Sequence, residues 1–269
     1  MLSIRERVPM VEPGVAVRSG ASTIAGRRQN NEDCFTLCRE HSLWAVSDGI
    51  GGAPFGDVMS RVACNVLSSS WTESFSETEI NERLRRTVQL VNEKVSGVSD
   101  LLGNLGSGST LLIAHLCDSR LWVASVGDCA AFLIREGAMR RLNFLGRTNR
   151  HSNGLDEALG YHLELNPEVS SYPIRPGDVV LLCSDGVWST QDEEQMAAAL
   201  FADVGPSQVA HLGNPQVMAE YVTQGSDMSD NATAVVLVFG EAATRMDPDE
   251  TSSFPIIGDD EKASMHTRT

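Results

Sequence analysis

Four carboxylate sites in the chain fall where an apolar run meets a loop. "NNEDCF" puts Glu32 and Asp33 at the start of one run, and "LWAVSDGIGG" puts Asp48 at the end of another. "VVLLCSDGVW" repeats the second arrangement at Asp185, and "MSDNATAVVLV" places Asp230 just ahead of a further run. A single Asp before Gly is ordinary turn chemistry. The same grammar at four sites points instead to carboxylates gathered at one end of a sheet. Such a set repels itself at neutral pH. A divalent cation relieves the repulsion, and ligation by carboxylate, carbonyl and water oxygens suits Mg²⁺ or Mn²⁺. The glycines after Asp48 fit this reading, because a bare backbone lets the Gly49 carbonyl reach the same cation.

The elements that must position these acids follow from the apolar pattern. Residues 15–25 and 33–48 read as strands, the second with a turn near Glu40 and His41. Helices are expected at 54–71 and 77–96. In the latter, Ser76 and Glu79 form a capping box, and Ile80, Leu84, Val88, Val91 and Val95 line one face. After a Gly-rich break at 103–108, the runs 109–117, 121–126 and 130–136 read as an antiparallel meander. Residues 143–166 are polar and irregular. Strands at 168–174 and 178–184, helices at 192–202 and 214–224, and a last strand at 232–240 complete a domain spanning 1–240. Residues 241–269 form an acidic polar tail, expected to be disordered. This order of elements suits antiparallel sheets flanked by helices, an α+β class, better than βαβ alternation.

Composition narrows the function classes. The 269 residues are 42% hydrophobic, enough for a substantial core, and carry a formal net charge of −15. That charge argues against nucleic acid and anionic membrane surfaces as partners. No apolar run is long enough to span a bilayer, and "MLSIRERVPMVEPGV" has no signal-peptide core, so cytoplasmic residence is the expectation. The six cysteines form no CxxC pair and read as reduced thiols.

The motifs together resemble the metal-dependent serine/threonine phosphatases of type 2C, the PPM family, in their bacterial form. "GRRQNNEDCF" is similar to the family's Arg-x-x-x-Glu-Asp segment, and "VSDGIGG" to its Asp-Gly-x-Gly-Gly. "GSGSTLLIA", "VASVGDCAAFLIREG", "VLLCSDGVW" and "DNATAVVL" resemble the segments that follow, in the family's order. The resemblance implies a four-layer α-β-β-α sandwich with a two-metal site (Mn²⁺ or Mg²⁺) at one end. It implies that Asp48 bridges both metals, that Glu32 and the Gly49 carbonyl bind one, and that Asp185 and Asp230 bind the other. Asp33 would ligate a metal or orient its ligands, and Arg28 would hold the substrate phosphate. A bridging water, made acidic by the metals, would attack phosphorus in line. The implied substrates are proteins bearing phosphoserine or phosphothreonine, set against a bacterial kinase in signalling, with the phosphatase acting as a monomer.

The chain also departs from the pattern. Ile50 and Ala53 stand where family members carry imidazoles or Met. Leu105 and Ser189 stand where acids for a third metal are expected, with Asp100 and Asp192 out of register, so a third metal site is doubtful. The 143–166 region is short, and its His151 and His162 read as loop residues. Asp128 reads as structural, holding a tight turn near the site, and Cys129 as a small buried residue. These departures keep open a catalytically weak regulatory or phosphoprotein-binding module. A structural Ca²⁺ module is disfavoured, because no compact Ca²⁺ loop exists.

Overall fold

The computed structural model describes residues 15–50, 54–71, 77–103, 105–144, 157–202 and 214–241. The acidic tail beyond 241, Ala53, His151 and the capping-box Ser76 lie outside the described residues. One five-stranded sheet has the order β1 (Val15–Ile24), β10 (Ala232–Glu241), β9 (Val179–Cys183), β6 (Ala130–Arg135), β7 (Ala138–Arg141). The other has the order β2 (Asp33–Cys38), β3 (Leu43–Asp48), β4 (Leu111–Cys117), β5 (Arg120–Val126), β8 (Glu168–Pro173). All the strand pairs are antiparallel.

Helices α1 (Gly56–Ser70) and α2 (Glu77–Leu101) cover the outer face of the second sheet through Met59, Ala63, Leu67, Ile80, Leu84 and Val88. Helices α4 (Glu193–Ala202) and α5 (Pro215–Gln224) cover the first sheet through Met196, Leu200, Met218 and Val222. A single helical turn, α3 (Asp185–Trp188), follows β9. The result is the four-layer α-β-β-α sandwich that the resemblance implies.

The strand sequences explain the layering. Central strands β9 and β10 are apolar at nearly every position because both faces are covered. Leu181, Cys183, Ala234 and Val236 face the helices, whereas Val180, Leu182, Val235 and Leu237 meet Trp44, Val46, Leu112 and Val123 of the opposite sheet.

One expectation needs correction. The three runs after residue 109 do not form one meander. β4 and β5 pair, but β6 crosses to the other sheet and pairs with β9, Ala130 opposite Cys183. Gly127, at φ +94°, turns the chain there, and β8 takes the edge of β5 that β6 leaves. The strands near 168 and 178 fall on different sheets. The turn at Glu40 and His41 is a short 3₁₀ helix, closed by Ser42 in the left-handed region. Asp192, proposed out of register for a metal, caps α4 by accepting from the Glu194 and Gln195 N–H groups.

Phe239 is fully buried between the sheets. Phe239→Ala is expected to cost about 3–5 kcal/mol in urea unfolding. Tyr221→Ala, on an exposed face of α5, is expected to stay within about 0.5 kcal/mol.

Candidate active site

The acids reach one end of the sandwich because of strand direction. β2 starts at Asp33 where β3 ends at Asp48, and the two residues are direct cross-strand partners. β9 ends just before Ser184 and Asp185, beside the start of β10 and the preceding Asp230 and Asn231. The sheets are tied there by the Ser184 hydroxyl, which donates to Asp33 Oδ2 at 2.7 Å. The same hydroxyl accepts from the Thr233 N–H at 3.0 Å.

The backbone around Asp48 is similarly fixed. Its N–H donates to Thr110 Oγ1, and its carbonyl accepts from the Thr110 N–H, all at 2.8 Å, with the Ser109 hydroxyl adding a third bond. The "Gly-Ser-Thr" run therefore holds the carboxylate strand rather than contributing a ligand.

Gly49 has a tighter constraint than a cation alone. A Cβ there would lie 2.2 Å from the Gly56 carbonyl oxygen, so α1 could not begin where it does. Gly56 in turn gives room to the Glu32 carboxylate, whose oxygens lie 3.2–3.3 Å from where its Cβ would stand. The Gly49 N–H donates to the Glu32 carbonyl at 3.0 Å, which sets the two metal-ligand candidates side by side.

Asn231 is the functional residue that sequence reasoning left without a role. Its side-chain oxygen accepts from the Glu32 N–H, and its amide donates to the carbonyls of Ala25 and Asn30, each at 2.9 Å. One side chain thus shapes the loop that carries Arg28 and Glu32. Arg28 is exposed and forms an ion pair with Asp230, Nη2 to Oδ2 at 2.6 Å. Asp128, expected to hold a tight turn near the site, is buried there, and its charge reaches Asp48. Its position between β5 and β6 repeats the strand-end grammar of the other acids, a signal that was present in the sequence.

The electrostatics follow from this crowding. Burial, followed by the charges of Asp33, Asp185, Asp128 and Asp230, holds the Asp48 carboxyl well above the usual range. Burial and the Asp185 charge push Asp33 up to about 6, against the Ser184 and Thr233 hydrogen bonds. Burial also raises Glu32, with Asp57 and Asp230 adding to it and Arg28 opposing. Asp33 Oδ1 is buried without a hydrogen bond of good geometry. Cys129, fully enclosed beside these acids, is held as a neutral thiol by burial and by the charges of Asp48 and Asp128.

These features fit hard divalent cations: an all-oxygen donor set, mutually destabilised carboxylates and a buried oxygen lacking a donor. Among the described residues, the only trio whose ligand atoms lie within 4.8 Å of one another is Cys38, Glu40 and His41, at the far end of β2. Of the other sequence candidates, Leu105 is exposed, Ser189 follows α3, and His162 is an exposed loop residue.

Comparison with known proteins gives the family. A family model described as Protein phosphatase 2C matches residues 20–224. The serine/threonine phosphatase stp of Listeria innocua is 29% identical over 204 residues, spanning 68% of this chain and 81% of that protein. The serine/threonine protein phosphatase PstP of Mycobacterium tuberculosis is 27% identical over 262 residues, spanning 88% of this chain and 48% of that protein. Among solved structures, the catalytic domain of PstP in complex with two manganese ions superposes with a TM-score of 0.70 at 25% identity, covering 84% of this chain and 100% of that one. PppA of Pseudomonas aeruginosa shares the fold, with a TM-score of 0.74 at 24% identity over 85% of this chain and 100% of that one. The strand-end acids, the two-sheet frame that gathers them and a family model spanning most of the chain lead to one conclusion: the chain belongs to the protein phosphatase 2C family.

Proposed function

We propose that the chain hydrolyses phosphoserine and phosphothreonine on proteins, using two Mn²⁺ or Mg²⁺ ions held by Glu32, Asp48, Asp185, Asp230 and the Gly49 carbonyl. The observation that carries this reading is the convergence of Asp33, Asp48, Asp185 and Asp230, from two sheets, at one end of the sandwich. When bound, the metal pair would supply an acidified water and neutralise phosphate charge.

The chain's own residues do the rest. Arg28 offers a planar fork of donors to two phosphate oxygens, and exchanges its Asp230 partner for the substrate. Asn231 holds the loop that aims Arg28 and Glu32. Asp33, fixed by Ser184, orients the groups around Asp48. Ile50 carries no proton to give, so the leaving oxygen takes its proton from water. The catalytic unit is residues 1–240, acting in the cytoplasm as a monomer on the targets of a bacterial kinase. The full set of acids and the shaped Arg28 loop favour turnover over a purely phosphoprotein-binding role.

Phosphate release from a phosphothreonine peptide tests the reading. Release is expected with Mn²⁺ or Mg²⁺ and not with EDTA, and Asp48→Asn and Asp185→Asn are expected to abolish it. A folded, Mn²⁺-binding protein that releases nothing from several peptides would sink the proposal. Arg28→Ala is expected to lower kcat/KM by about 10–100-fold, the scale of a lost charge-assisted hydrogen bond of ~1.5–3 kcal/mol. Asn231→Ala is expected to lower activity by about 10–100-fold while the protein stays folded.

The raised carboxyls also set a pH dependence. Asp33 titrates near 6 when folded, above its ordinary 3.8. Its stabilising contribution is therefore fully present below the ordinary value and is lost as pH rises through about 6; Glu32 and Asp48 act in the same direction. In EDTA the protein is expected to melt higher at about pH 5 than at about pH 7.5, and Mn²⁺ at about pH 7.5 is expected to raise the melting temperature.

A further inference from the structure

The mechanism uses no cysteine, yet two cysteines face each other directly beside the acids. On β2, Asp33 and Phe35 point toward the sandwich interior, so Cys34 and Thr36 point toward α1. Across from them, the buried face of α1 presents Ser60, Ala63 and Cys64. The small residues let the helix approach closely, and the Thr36 hydroxyl lies 3.4 Å from the Cys64 carbonyl oxygen. Side chains on a helix lean toward its N-terminus, so Cys64 leans along α1 toward the start of β2, where Cys34 stands two residues before Thr36 on the same face. Cys34 is half-buried, whereas Cys64 is buried behind it, and both are free thiols.

We propose that Cys34 and Cys64 form a reversible disulfide, with a peroxide as oxidant. The Cys34 sulfur attacks one peroxide oxygen, breaking the O–O bond and giving a sulfenic acid and water. The Cys64 sulfur then displaces the sulfenic oxygen as a second water. In total, two thiols and one hydrogen peroxide give one disulfide and two waters. The half-buried sulfur meets the oxidant, and the buried one resolves it.

The bond has a mechanical consequence at the site. Cys34 directly follows Asp33, and α1 begins at Gly56, where the Glu32 carboxylate and Gly49 meet it. A covalent tie between β2 and α1 draws the helix onto the strand that carries both acids. Turnover is expected to slow by about 10–100-fold, the scale of ångström misplacements near a reacting centre. This activity arm rests on the phosphatase reading; the covalent arm does not.

The test treats the reduced full chain with hydrogen peroxide and follows intact mass, thiol titration in denaturant, and peptide mapping without reductant. The expected result is a loss of two hydrogens, a fall of two from the six titratable thiols, and a Cys34–Cys64 cross-linked peptide that dithiothreitol removes. Cys34→Ser and Cys64→Ser should each lose the cross-link, while Cys117→Ser, at the other partly exposed cysteine, should keep it. Circular dichroism checks that the variants fold, and Cys64→Ala replaces Cys64→Ser if the hydroxyl disturbs packing. A sulfinic acid at Cys34 with Cys64 still free, or a cross-link through another cysteine, overturns the assignment. A Cys34–Cys64 cross-link with unchanged phosphate release overturns the proposed slowing. If the reduced, Mn²⁺-loaded protein releases no phosphate at all, the phosphatase reading fails, and the mass measurement still decides the disulfide.

Discussion

Like charges held together across two sheets are the constraint on which the rest of this structure depends. Asp33 and Asp48 face each other on adjacent strands, and a pair of like charges in that register weakens a sheet. Asp185 and Asp230 approach from the opposite sheet, and their charges reach Asp48. Nothing in the apolar core demands this arrangement. The core beneath it, from Trp44 and Val46 to Leu182 and Phe239, supplies the stability that lets one end of the sandwich remain unfavourable. Ser184 and Thr110 then hold the acids at fixed positions with neutral hydroxyls, which add no further charge.

Close backbone approach is the second device. Gly49 meets Gly56, and Gly186 meets the Asn231 carbonyl, where a Cβ would lie 2.0 Å from the oxygen. At both places a strand-end acid is followed by a glycine that lets a second chain segment pass against it. The shared Asp-Gly pattern therefore reflects packing as much as ligation. It brings α1 down on Glu32 in one case and the Asp230–Asn231 turn down on α3 in the other.

Much of this was legible in the sequence. The strand runs, the helix stripe at Ile80, Leu84 and Val88, and the strand-end acids all carry local signals, and the structure places them in one frame. Sheet membership was not legible. β6 is apolar on both faces, so its pattern is the same whether it pairs with β5 or crosses to β9. The role of Asn231 was also hidden, because its partners are the carbonyls of Ala25 and Asn30 and the N–H of Glu32, about two hundred residues away. Backbone partners leave no trace in side-chain pattern. Asp128 was legible as a residue holding a tight turn near the site, and it is buried there with its charge reaching Asp48.

The pairing of β1 with β10 has a consequence for how the protein is made. Ten consecutive residue pairs join Val15–Ile24 to Ala232–Glu241, and β10 lies between β1 and β9 rather than at an edge. A chain emerging from the ribosome therefore carries two open strand edges and an unfilled slot in its first sheet until nearly the whole domain has been synthesised. Asp230 and Asn231 arrive with that last strand. The acid cluster is completed in the same step that closes the sheet, so a nascent or truncated chain lacks both the closed core and the assembled site.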